Sequence, residues 1–338
     1  MKTKCYKIIS ICILSMFVIF SFFGLSGCTH QTLQGVIFYT GFKIEGVTTK
    51  EMSTIKQRLK DIESNISANI YNYPNSEINI VNQSKANIPV NVGLDFEHLF
   101  NVSKEMNECF NSFNPAIYPL IEKWKLNHEF VIDYSPNIEE IPSDDEIEQI
   151  LSICSLDNFT INQKNITKSQ DESKLDFGAI AKGFAVDQIF DMIKSNNKVV
   201  DIGGTIRSKK EINVGILHPR KKDQIFAEVK IKNQAIATSG DYYRFYYLKG
   251  DNTKRYHHII DPSNGYPSGF YQDNPVVSVT VIGPKAEICD VLSTVFMIED
   301  KNVIESSLKS KKFEEYSTLL IHEDGTYAII GNKKFQVF

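Results

Sequence analysis

The chain has few cysteines, and none of them are paired at the short spacing of a metal-binding motif. Of its 6 cysteines, Cys5 and Cys12 lie in the charged start and apolar run of the N-terminal segment, and Cys28 follows shortly after that run. Cys109, Cys154 and Cys289 remain as an odd set, so no disulfide framework follows. Each falls in an apolar-periodic stretch and reads as a small core residue. An excess of either charge is also missing: 41 acids against 37 bases leave a formal charge of −4, interspersed along the chain. Nucleic acid is given no basic footprint, and there is no acidic tail. The sequence has no low-complexity linker, no repeat of fixed period and no GxGxxG, which leaves Gly203-Gly204 as a tight strand turn before anything else. Apolar residues, by contrast, make up 42% of the chain, ample for one compact α+β core.

Lys2, Lys4 and Lys7 precede an uninterrupted apolar run over residues 8–25, followed by Ser26, Gly27 and Cys28. Residues 1–27 therefore read as a lipoprotein signal peptide, and residues 28–35 as a lipidated Cys28 with a short tether. The competing reading is a permanent membrane helix, against which stands the Leu-Ser-Gly-Cys ending at this distance from the charged start. Acyl chains on Cys28 would hold the mature protein on the extracytoplasmic face of a bacterial cell membrane. The remaining 36–338 is expected to be one domain.

Within it, residues 36–47 look like a strand. Thr48 with Glu51 forms a capping box before a helix carrying Met52, Ile55, Leu59, Ile62 and Ile66. A second helix is expected through Phe96, Leu99, Phe100, Met106 and Phe110, and a third begins at Ser143 with Glu146 as its cap partner. After residue 176 a helix runs to about Ser195 and leads into the strand KVVDI. The run VVSVTVI is a clear strand, Pro284 opens a helix bearing Ile288, Val291, Leu292, Val295 and Phe296, and Asp324-Gly325 marks a terminal hairpin. Trp124 reads as a core anchor.

The most informative stretch is residues 175–187, LDFGAIAKGFAVD, which sets an acid, a Gly-Ala turn and a lysine where a strand becomes a helix. A carboxylate can take a ribose or base donor, turn backbone can meet a phosphate or metal, and lysine supplies compact positive charge. Taken alone, an ordinary helix start reads it equally well. Further on, Asp290 and Thr294 stand one helical turn apart, two hard oxygen donors able to hold magnesium. So small a donor set suits magnesium only with phosphate oxygens in the shell, and a plain polar helix edge is the alternative.

Eight segments in order carry a resemblance: YNYPNSEINIVN, SFNPAIYPLIEKW, LDFGAIAKGFAVD, VDIGGTIRS, NVGILHPR, AIATSGDYYRFY, HIIDPSNGYP and VTVIGPKAEICDVLSTVF. Each is weak singly, but their order and spacing resemble the ApbE family, flavin transferases that move FMN from FAD onto a protein. The resemblance spans essentially the whole of 36–338. It implies an α+β, T-fold-related catalytic domain, FAD as substrate, and magnesium held by the Ala179 carbonyl with Asp290 and Thr294. By the same correspondence Asp176 and Lys182 would contact FAD, Ile260 and Ser293 would line the nucleotide site, and Ser112, Phe113 and Asn114 would touch FAD. Thr40 stands where the family often has methionine before glycine. The partner implied is an acceptor flavoprotein with a Ser/Thr flavinylation site.

Magnesium and Lys182 would then spread the charge building on the FAD pyrophosphate while an acceptor hydroxyl attacks and AMP leaves. His258 is the candidate general base, with a structural histidine as the alternative, and His257 should point the opposite way along a strand. Asp241 reads either as a turn residue or as part of the acceptor site, and the aromatic cluster at residues 242–247 reads as a strand with one buried face. Two departures bear on the reaction. Asn72 stands at a family tyrosine position suited to stacking on the nucleotide, flanked by Tyr71 and Tyr73, and its loss of an aromatic face could admit water. Asn114 replaces the usual aspartate with an uncharged side chain of the same shape. Beside transfer, the sequence therefore keeps open an FAD pyrophosphatase on the same site and a non-enzymatic flavin-carrying lipoprotein.

Overall fold

The computed structural model describes residues 30–68, 72–126 and 134–338. The signal segment, Cys28 and Tyr71 lie outside the described residues. Among the described residues no helix is long and apolar enough to cross a membrane.

Eight strands form the central sheet, in the order Gln31–Ile37, Thr40–Val47, Val199–Ile202, Thr205–Ser208, Gln234–Gly240, Val276–Gly283, Ser317–His322 and Tyr327–Ile330. Every neighbouring pair is antiparallel, as an α+β domain requires. Alternation along the central strands sorts side chains into two layers. Ala235, Ala237, Val279, Val281 and Leu320 face the main core with the helices Thr49–Ile66, Ala181–Met192 and Ala286–Val295. Ile236, Ile282, Leu319 and Ile321 face the other way, against a small sheet of Ile212–Leu217, Ile225–Ile231 and Gln336–Val337.

A second apolar core gathers Leu120, Trp124, Ile147, Tyr246, Tyr256 and Ile260. Trp124 anchors it, its indole N–H donating to the Gly265 carbonyl at 2.8 Å. Gly265 has φ of +78°, and a Cβ there would fall 2.4 Å from Ile147, so both backbone conformation and space call for glycine. The aromatic run has one buried face as expected: Tyr246 is buried and stacks on Tyr256 across the Phe245–Leu248 and Asp251–His257 strands, while Phe245 and Tyr247 face outward together.

The capping boxes form. Glu51 Oε2 accepts from both the backbone N–H and the hydroxyl of Thr48, each at 2.8 Å, and Ser143 pairs with Glu146 ahead of Asp144–Leu151. Residues 36–47, however, are not one strand but the end of one and the whole of the next, with Phe38 and Tyr39 as the turn. Both have left-handed backbones, φ of +49° and +60°, in the paired positive-φ turn that matches strand twist. Asn-Gly ordinarily fills such a turn, and Phe-Tyr carries no turn signal. Glu63 Oε1 accepts from the Phe38 N–H at 2.8 Å and holds the strained tip. The same hairpin draws residues 31–35, expected in the tether, into the sheet. Cys109 also departs from expectation: it closes the helix Leu94–Cys109 off the apolar stripe and is exposed, while Cys154 and Cys289 are buried.

Candidate functional site

The corner at residues 175–187 is held by a frame of backbone bonds. Asn82, on the helix Glu77–Gln83, pairs with both main-chain groups of Leu175, its Nδ2 donating to the carbonyl at 2.8 Å and its Oδ1 accepting from the N–H at 2.7 Å. The buried Lys168 ammonium donates to the carbonyls of Asn82, Asp171 and Ser173 at 2.7, 2.8 and 3.1 Å. These bonds stitch the helix to the irregular segment between the strand Asn165–Lys168 and the corner, so the corner opens from coil and not, as expected, from a strand. One residue later the Asp176 N–H donates to the Pro115 carbonyl at 2.9 Å. That bond brings the turn at 112–114 beside the corner.

Asp176 turns its carboxylate back on the corner and accepts from the Gly178 N–H at 3.1 Å. Removal from solvent pushes its carboxyl above the ordinary aspartate range, against the opposing pull of Arg244, the Gly178 N–H and Lys182. The helix Ala181–Met192 then meets the helix Ala286–Val295. Lys182 Nζ lies 3.3 Å from Asp290 Oδ1, and the Gly183 N–H donates to Asp290 Oδ2 at 3.0 Å. A helix continued backward would send that N–H to the Ala179 carbonyl, so the bond to Asp290 leaves this carbonyl outside the helical ladder. Close approach makes the meeting possible: a Cβ on Gly183 would stand 2.4 Å from the Ala286 carbonyl oxygen and 2.6 Å from Glu287 Cα.

A carboxylate absent from the sequence reasoning fixes the register of the two helices. Lys285, at the N-cap of Ala286–Val295, offers no capping side chain. Asp187, from the other helix, accepts from the N–H groups of Ala286 and Glu287 at 3.1 Å each and pairs with Arg207 at 2.7 Å. Its signal was the missing cap on a helix opened by Pro-Lys. The pairing sets Asp290, Thr294 and Lys182 in one group, with the Thr205 hydroxyl 3.5 Å from Asp290 Oδ1. Ser239 closes it, its hydroxyl 3.2 Å from that of Thr294 and 2.8 Å from that of Ser293.

Among the described residues no three His, Cys, Asp or Glu side chains cluster as a metal site. A cation here would have one carboxylate, the Thr294 hydroxyl and, as the family resemblance implies, the Ala179 carbonyl. That donor set is all hard oxygen and lets phosphate oxygens complete the shell, which fits magnesium.

The other expected contacts divide. His258 is half-buried just beyond the strand Asp251–His257, and its Nδ1 lies 3.2 Å from the Arg244 carbonyl oxygen, to which it can only donate. Nε2 then carries the lone pair. Burial, the Arg244 and Lys182 charges and His257 push this imidazole well below the ordinary histidine range. His257 points inward, buried, its Nε2 on the Ser268 carbonyl. Arg244 was not singled out in the sequence, because only the pairing of its strand segment with His258 gives it a place.

Thr40 opens the second hairpin strand against Gly203, where any Cβ would stand 2.6 Å from its methyl group; Gly203 is indeed in a tight turn, with φ of +59°. Asn72 donates from Nδ2 to the Tyr39 hydroxyl, which ties it to the hairpin tip. Ser112 donates to Glu299 Oε1 at 2.5 Å, and Phe113 is core, 2% exposed. Asn114 donates to the Cys154 carbonyl and accepts from the Ala116 N–H, so its amide is committed within the protein. An aspartate could not donate to Cys154, which gives a physical reason for asparagine here. Ile260 packs into the second core and Ser293 is fully buried in the hydroxyl group around Thr294. The side chains of Phe113 and Ile260 are thus packed in the two cores, and the Asn114 amide is held between Cys154 and Ala116. Asp241 is likewise committed, in a two-pronged pair with Arg220 at 2.7 and 2.6 Å.

The sequence model of the ApbE family matches residues 35–316. The FAD:protein FMN transferase of Haemophilus influenzae is 27% identical over 305 residues, covering 85% of this chain and 84% of its own length. The enzyme of the same name from Chlamydia pneumoniae is 27% identical over 328 residues, covering 91% and 97%. Among solved structures, the ApbE protein of Thermotoga maritima superposes with a TM-score of 0.74 at 25% identity, over 89% of this chain and 97% of that one. The flavin transferase ApbE of Vibrio cholerae gives 0.71 at 25% identity, over 90% and 97%. With the family's sequence pattern running from the first hairpin to the strand after the site helix, and its fold matched over nearly the same span, this chain belongs to the ApbE family.

Proposed function

We propose that this protein transfers the FMN half of FAD to a hydroxyl of an acceptor protein, releasing AMP. The observation that carries the reading is the meeting of Lys182 and Gly183 with Asp290, which joins the nucleotide corner to the donor pair on the facing helix. The named relatives support FAD as the flavin donor. The acceptor oxygen attacks the FMN-side phosphorus, the bond from that phosphorus to the bridging oxygen breaks, and AMP leaves with the bonding electrons. Magnesium, held by Asp290, Thr294 and the Ala179 carbonyl, would withdraw charge from the pyrophosphate when bound. Lys182 adds a fixed positive charge at the same place, and Asp176 takes a donor on the nucleotide. His258 Nε2 accepts the proton of the attacking hydroxyl, its tautomer set by the Arg244 carbonyl. We also propose export and a lipid on Cys28, which would place acceptor and site on the outer face of the membrane.

Incubation with FAD, magnesium and a Thr-containing flavinylation peptide, read by mass, tests the function. Flavin on the peptide with one AMP released per transfer supports it. AMP with no flavinylated peptide would overturn transfer in favour of hydrolysis, and unconsumed FAD would favour a carrier.

The pH dependence follows from His258. A base works only when neutral, and lowering its pKa keeps it neutral further into acid. The acid limb of kcat/KM is therefore expected below the ordinary histidine value of about 6.5. The limb should vanish in the residual activity of His258→Gln. A limb at or above the ordinary value, or one unchanged in the variant, would remove His258 from this role.

A further inference from the structure

Four oxygens on two elements form a chain whose direction can be worked out. The Ser293 hydroxyl donates to the Asp290 carbonyl at 2.8 Å, which uses its one proton. In its 2.8 Å contact with Ser239, Ser293 can then only accept, so Ser239 donates there. With its proton used, Ser239 can only accept in the 3.2 Å contact with Thr294, so the Thr294 proton points to Ser239. The alternative acceptor for Thr294 is the Asp290 carbonyl at 3.4 Å, already occupied by Ser293 at shorter range. The Thr294 oxygen is thus left with lone pairs free on the side away from Ser239. A metal ligand requires that polarity, because a hydroxyl whose proton faces a cation repels it.

Ser239 is well placed to impose this direction. It sits near the end of a central strand, Gln234–Gly240, and the next residue but one, Asp241, is clamped by Arg220 and donates its N–H to the Val277 carbonyl at 3.2 Å. The hydroxyl therefore comes from the sheet, not from the helix that bears Thr294, and cannot follow Thr294 if that side chain turns.

We propose that Ser239 is a positioning residue of the cation site: through the chain Thr294 to Ser239 to Ser293 to the Asp290 carbonyl it holds the Thr294 oxygen with its lone pairs toward the cation. The inference rests on the magnesium reading above. Its test is binding of Mn²⁺, read by electron paramagnetic resonance on mixing with protein and FAD, with no acceptor present. Ser239→Ala is expected to weaken Mn²⁺ binding about five- to tenfold, the loss of one good hydrogen bond, with FAD affinity in chelator unchanged by flavin fluorescence. Ser239→Thr keeps the hydroxyl, suits a strand, and should restore binding. Wild-type Mn²⁺ binding by Ser239→Ala while Asp290→Asn has lost it would overturn the inference alone. Equal weakening in Ser239→Ala and Ser239→Thr would also overturn it, since packing and not the hydroxyl would then matter. Undiminished binding by Asp290→Asn would bring down the cation site itself, and the inference with it.

Discussion

Asp290→Asn is expected to fold and to lose magnesium-dependent FMN transfer by on the order of a thousand-fold. The substitution is chosen over alanine because the side chain is 3% exposed and receives the Gly183 N–H at 3.0 Å. Alanine would leave that buried donor without an acceptor, at about 1–3 kcal/mol. The asparagine oxygen still accepts it, and the shape is kept. What disappears is the one carboxylate of the donor set, along with the counter-charge of Lys182. A hydroxyl and a carbonyl without it hold a divalent ion weakly, so raising magnesium should recover little. Steady-state rates across a magnesium titration, with thermal melts to confirm folding, check this. An unchanged magnesium dependence would remove the metal assignment.

Gly183→Ala should be both less stable and less active, although intrinsic helix propensity favours alanine over glycine by about 1 kcal/mol. Two effects oppose each other, and geometry decides between them. The added carbon would sit 2.4 Å from a backbone carbonyl oxygen and 2.6 Å from a Cα of the facing helix. Neither can rotate away as a side-chain tip could, so the helices must separate. Overpacking of this kind costs about 1–3 kcal/mol and outweighs the propensity gain. The separation also pulls the Gly183 N–H and Lys182 away from Asp290. Misplacement of about 1 Å near a reacting group can reduce turnover on the order of a hundred-fold. A melting temperature equal to or above that of the parent, with full turnover, would show that the two helices are not in the contact described.

These expectations draw on contacts the sequence showed unequally. Local signals were legible: the Thr48 and Ser143 boxes, the apolar stripe of Ile55, Leu59, Ile62 and Ile66, and the alternation of VVSVTVI all correspond to elements in place. The pairing of the corner with Asp290 and Thr294 was legible only because the family pattern joined two segments more than a hundred residues apart. Contacts with neither a local period nor a motif were not legible. Asp187 caps a helix other than its own, and Ser239 acts across from a strand, so spacing along the chain says nothing of either. Phe38 and Tyr39 failed as turn signals because their strain is held by Glu63, a residue on a different element. Ser112, Phe113 and Asn114 were read as ligand contacts by position, but which of their groups face inward is decided by Glu299, the core and Cys154.

The strand order also governs how the chain can reach this state. The hairpin ending at Val47 pairs on its inner edge with Val199–Ile202, a strand that begins beyond the middle of the chain. Until Val199 is available, the row of N–H and C=O groups over residues 42–45 has no strand to meet, while Ile44 and Val47 await a core that is not yet assembled. Pairings across such a separation form late and slowly. A nascent or truncated chain that stops short of Val199 therefore carries an open sheet edge beside apolar side chains, a template for self-association. Holding that edge apart until the rest of the sheet arrives is the task such a chain sets for a chaperone.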